Sequence, residues 1–103
     1  MPIIELISLI LAAAAALAVL AIVVLTFAEV VSWFTQRNDI YEQDEDHIAF
    51  TLKQKLDAGE FETVQGIFNK RTSKMAEARK VKSSKYDSKL NEKHKKSELV
   101  IWE

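Results

Sequence analysis

Leu6 to Ala28 is a run of 23 residues with no charge, Gly or Pro, and only Ser8 and Thr26 interrupt its apolar character. Either hydroxyl can bond back to its own helix. The run exceeds the ~18 apolar residues that mark a spanning segment. It has no polar stripe, whereas a surface helix of a globular protein carries one. The pattern therefore predicts a transmembrane helix. A secretory signal would need a basic lead and a shorter apolar stretch, and Met1 to Glu5 contain no Lys or Arg.

The predicted fold class is all-α: a single transmembrane helix, then a short amphipathic helical hairpin, then a basic, partly extended C-terminal arm. Residues 1–35 form the transmembrane helix with its interfacial end, 36–46 an acidic juxtamembrane hinge, 47–80 the hairpin, and 81–103 the arm. Trp33, Phe34 and Arg37 follow the span in the order of aromatic anchor and then cation expected at a membrane surface. All 14 Lys and Arg lie after the span, which favours an integral, single-pass protein with the N-terminus out and the tail inside.

The hairpin rests on spacing. Ile48, Leu52 and Leu56 recur every four residues with Ala49 on the same face, and Gly59 stands where a helix stops. Phe61, Val64, Phe68, Met75 and Ala78 suggest a second helix, in which Gly66 costs about 1 kcal/mol relative to Ala. Such short stripes give a small core that needs a partner. Leu52, Leu56, Phe61, Val64 and Phe68 are therefore candidate docking residues. Leu99, Val100, Ile101 and Trp102 follow a polar stretch and form a candidate docking plug.

The net charge of −1 hides a separation. Residues 35–69 hold three basic against eight acidic residues, and residues 70–96 hold eleven basic against three acidic. Lys70, Arg71, Lys74, Arg79, Lys80, Lys82 and Lys85 are candidates for anionic surfaces, either lipid headgroups or nucleic-acid phosphates. The Lys-rich, aromatic-poor composition argues against base stacking. Residues 81–97 are too polar to fold alone.

Within the apolar run, Ala14, Ala18, Ala21, Leu25 and Ala28 form a smooth seam for another helix, and Glu29 shares its face. A carboxylate so close to a span is a candidate ion-path or pairing group. No catalytic residue, cofactor site or metal site is expected. The chain has no Cys, only two Gly and two distant His, which leaves no phosphate-cradling loop, metal motif or nucleophile with its base.

The expected function is a non-catalytic accessory or assembly subunit of a larger membrane protein complex. Its expected partners are other membrane-protein subunits and lipid, with nucleic acid and small-molecule substrates disfavoured. The alternatives are a membrane protein of a lipid-containing virion, bridging the bilayer to capsid or genome, and a membrane-tethered regulator or ion-path component using Glu29.

Overall fold

Two kinds of apolar residue share the long N-terminal run, and they fold differently. In a computed structural model, which describes residues 2–102, α1 spans Ile3–Ala14 and β1 spans Val19–Leu25. A tight turn separates them: the Ala15 N–H donates to the Ala12 carbonyl at 3.4 Å and the Leu17 N–H to the Ala14 carbonyl at 3.0 Å. Ala and Leu are strong helix formers. Val19, Ile22, Val23 and Val24 are β-branched, stiff at the first side-chain torsion and better placed on a pleated strand.

This overturns the transmembrane reading. At about 1.5 Å per residue, the 12 residues of α1 reach roughly 18 Å, short of a hydrocarbon core about 30 Å thick. No helix among the described residues is long and apolar enough to cross a membrane. The single-pass, N-out arrangement is corrected accordingly. The physical reason is that a short helix followed by a β-branched strand reads as one apolar run when no Gly, Pro or charge marks the break, so hydropathy alone does not separate the two.

The all-α class is corrected as well. Five strands form one sheet in the order β1-β4-β3-β2-β5. β2 is His47–Lys55, β3 is Phe61–Asn69, β4 is Lys74–Tyr86 and β5 is Leu99–Trp102. β1 runs parallel to β4, while β2 pairs antiparallel with both β3 and β5, and β3 with β4. The remaining helices are α2 (Phe27–Thr35), α3 (Asn38–Tyr41) and α4 (Ser88–Lys93).

The expected helical hairpin is a β-hairpin. A four-residue recurrence also satisfies a period of two: Ile48, Phe50 and Leu52 point to one side of β2, and Ala49, Thr51 and Lys53 to the other. Gly59 takes a positive φ of 79° in the connecting turn. There the Gly59 N–H donates to the Leu56 carbonyl at 3.2 Å, and the Leu56 N–H to the Glu60 carbonyl at 2.8 Å. A left-handed Gly closing a hairpin turn of this length is a common solution. The predicted extended arm is likewise structured, as the second half of β4, α4 and β5.

The sheet buries both faces. On one side α1 lays Leu6, Ile10 and Ala14 over Phe50, Leu52, Val64, Phe68 and Leu99. On the other, Leu25, Val30, Val81, Tyr86 and Leu90 pack together, with Ile22, Phe27, Phe34, Phe61 and Trp102 beside them. Asp87 ties two elements of this second layer. Its Oδ1 caps α4 by accepting from the Leu90 N–H at 3.0 Å, and it also accepts from the Phe27 N–H at 3.0 Å, at the start of α2.

Candidate interaction surface

An unpaired sheet edge offers a row of backbone donors and acceptors, and natural proteins usually blunt such edges with charge, Pro, a bulge or brevity. β5 is short, with four residues, and Lys93, Lys95 and Lys96 precede it. β1 carries none of these devices. Its seven residues, VLAIVVL, hold no charge, Pro or Gly, and only β4 pairs with it.

β1 is also bare on its sides. Val19 is 47% exposed, Leu20 53% and Val23 69%. α1 packs over residues of β2, β3 and β5 and over Met75 of β4, and it leaves Val23 uncovered. From Ala15 to Ala21 every residue except the half-buried Leu17 is exposed. Ile3 and Ile4 on α1 are exposed too, at 56% and 76%. Single exposed apolar side chains are ordinary, but a continuous stretch of them on an open edge is a candidate interaction surface.

The expected helix-packing seam is dispersed. Ala14 and Leu25 are buried in different layers, Ala18 lies in the turn, Ala21 is exposed on β1, and Ala28 is exposed on α2. Glu29 closes the N-terminus of α2. Its N–H donates to Thr26 Oγ1 at 3.1 Å, and that hydroxyl donates to Glu29 Oε1 at 3.2 Å. Thr26-Phe27-Ala28-Glu29 is a capping-box sequence, a helix-start signal inside what had read as one continuous helix.

The three expected interfacial residues do come together, but inside the fold. Trp33 is 7% exposed, with the Arg37 guanidinium 4.1 Å and the Arg79 guanidinium 5.8 Å from its ring centre. Arg37 also pairs with Glu77 at 2.8 Å. Phe34 leans on Trp102, with ring centres 6.0 Å apart.

Of the expected docking residues, Leu52, Val64, Phe68 and Leu99 are in the α1-side core. Phe61 and Trp102 flank the other core, Leu56 and Val100 are half-buried, and Ile101 is 46% exposed. The plug Leu99–Trp102 docks on its own sheet, beside β2. The basic residues are partly committed: Arg71 bridges Asp44 and Asp46, Arg79 Nε donates to Gln65 Oε1 at 2.8 Å, and Lys82 pairs with Glu60 at 3.4 Å. Lys70, Lys74 and Lys85 project along one hairpin and strand, and Lys80 is half-buried there. Hydrogen bonds from the Asp46 N–H, Arg71 and Asn69 hold the Asp44 carboxyl down at about 2.

A buried polar network lies beneath β5. Trp102 Nε1 donates to Thr51 Oγ1 at 2.8 Å, and Thr51 Oγ1 lies 2.7 Å from His94 Nε2. His94 Nδ1 lies 3.1 Å from the Ser97 carbonyl. A carbonyl accepts only, so Nδ1 carries the proton and Nε2 accepts the Thr51 hydroxyl. The hydroxyl, imidazole and carbonyl follow the order of nucleophile, base and orienter. However, Thr51 is wholly buried and already accepts from an indole, so no substrate reaches it. The network is a structural clasp for β5. Beside it Tyr86 bonds Thr63, and burial pushes its phenol up to about 12.

The cleft between α2, α3 and the sheet, lined by Phe34, Tyr41, Ile67 and Trp102, has a volume of about 190 Å³. Two more open depressions, one lined by Glu29, Trp33 and Arg79 and one by Lys53, His94 and Lys96, measure about 370 and 310 Å³, within the size range of small-molecule sites. Among the described residues no group of three or more His, Asp or Glu could hold a metal ion. No family model matches the chain, and no curated protein or solved structure matches it either.

The feature that sequence reasoning missed is the edge itself. A signal for it was present in the β-branched density of Val19 to Val24, closed by the capping box that follows.

Proposed function

We propose that this chain is a non-catalytic assembly subunit that joins a larger protein complex by adding its sheet edge to a partner. The observation that carries the reading is the uncharged edge strand β1, paired on one side only, with Val19, Leu20 and Val23 exposed. Strand addition of this kind draws affinity from main-chain hydrogen bonds and specificity from alternate side chains. The α1 layer and the clasp beneath β5 hold the sheet rigid, so the edge is presented in a fixed form. Preorganisation of that sort reduces the entropy lost on association. The fully buried position of Thr51 supports the non-catalytic part of the reading.

The test is the native mass of the tagged protein extracted gently from its own cells. Wild type should migrate in a stoichiometric assembly. Val23→Lys, which places a charge on a residue 69% exposed in the isolated chain, should shift migration to lower mass. Thr72→Lys, in the distant β3–β4 turn, should not. An assembly indifferent to Val23→Lys would overturn the proposal.

A further inference from the structure

We propose that the occupant of the β1 edge is a second copy of the same chain, paired antiparallel so that two five-stranded sheets become one of ten strands. This rests on the reading of β1 as the docking edge and names its partner. Three features of the edge suit a second copy.

The first is chemical. A strand reading VLAIVVL has no charge to satisfy and none to repel, so it is complementary to itself. A charged foreign strand would lay its ions on an apolar edge that offers them no partner. The whole chain has a formal net charge of −1, so two copies meet without strong overall repulsion. The nearest basic strand, β4, is set back by one strand on each side. The two β4 strands would stand about 14 Å apart at about 4.8 Å per strand, beyond the Debye length at physiological ionic strength.

The second is geometric. A two-fold axis at Ile22 places the stretch Leu20 to Val24 in register: Leu20 faces the partner's Val24 and Ala21 the partner's Val23, while the wholly buried Leu25 lies beyond the joined stretch. Residues of equal parity meet, so each side of the joined sheet stays continuous. The smallest side chain of the strand meets a larger one across each pair next to the axis. The two-fold also makes the new pairing antiparallel, the slightly more stable arrangement per residue.

The third is closure. Pairing β1 with β5 of another copy would leave one open edge at each end and propagate as a fibre. Pairing β1 with β1 consumes the long edge of each copy and stops at two. Only the short β5 edges remain outermost.

Sedimentation equilibrium of the purified full-length chain tests this directly. Wild type should give twice the chain mass of 11.7 kDa. Val23→Lys and Val23→Glu should each give the single-chain mass, because like charges then stand on one face of the joined sheet, diagonally across the axis. Mixing the two variants should restore the doubled mass, an outcome that an unfolded variant cannot produce. The chain contains no Cys, so Ile22→Cys adds the sole thiol. Mild oxidation should link it into a covalent dimer, while Ser84→Cys on β4 should remain single.

A wild-type chain sedimenting at 11.7 kDa, an open-ended series of larger species, or variants that fail to complement on mixing would each overturn self-pairing. If the purified chain is single while the native assembly still depends on Val23, the docking edge stands and the copy is the wrong partner. If the native assembly ignores Val23→Lys, the docking edge fails with it.

Discussion

Thr51 shows what a single buried side chain contributes to this fold. Its hydroxyl serves Trp102 on β5 and His94 just past α4, so one residue of β2 anchors two elements far along the chain. Thr51→Val keeps the shape and strands two partners. We expect a loss of about 1–3 kcal/mol for the unsatisfied groups, read from urea denaturation. His94 adds a pH dependence. Burial first, and then the nearby Lys53, holds its ring below the ordinary 6.5, against the raising effect of the Ser97 and Glu98 backbone. The folded ring is therefore neutral where the unfolded chain binds a proton. The stability it supports is complete above about pH 6.5 and declines as pH falls from 6.5 toward the lower folded value. The urea midpoint should drop between pH 7.5 and 5.5, and His94→Gln should flatten that drop. Asp44 titrates in a lower window, from 3.8 to about 2, and does not contribute to this interval. At this scale the sequence was partly legible. Two distant histidines gave no metal motif, but nothing in their local sequence said that one of them would hold β5.

Gly66 separates the helical from the sheet reading at the scale of elements. In a helix interior, Gly66→Ala would stabilise by about 1 kcal/mol. In β3 the new Cβ would meet the Glu77 carbonyl oxygen at 2.8 Å and the Ala78 Cβ at 2.9 Å. Backbone and a short side chain cannot yield as a long one can. We expect Gly66→Ala to lower stability by about 1–3 kcal/mol, as overpacking does, with thermal unfolding as the readout. The sign alone decides between the two readings. The misreading has a definite origin: Ile48, Leu52 and Leu56 are spaced by four, a multiple of two that also lies near one helical turn. Phe50, on the same face as Ile48 and Leu52, was the residue that fits only the strand. The boundary at Thr26 was legible through its capping box. The boundary at Ala15 was not, because no Gly or Pro marks it and the shift from Ala to β-branched residues lies within one apolar run.

Across the whole molecule, the amphipathic faces that had seemed to need outside partners cover one another. α1 covers one side of the sheet, α2 and α4 the other, and the basic segment becomes the strand β4 that joins β1 to the rest. What the fold leaves uncovered is the edge at β1. The apolar excess at the N-terminal end was legible, but where the fold would leave it exposed was not, because edge position is set by strand order, and strand order depends on contacts distant in sequence. The account therefore stands on whether Val19 to Leu25 is a strand paired with β4. Nuclear Overhauser contacts in the purified full-length chain answer that most directly. Cross-strand contacts of Leu20 with Val81 and of Ile22 with Ser83, with helical contacts ending near Ala14, are the predicted result. An unbroken series of helical contacts from Leu6 through Ala28 would contradict it.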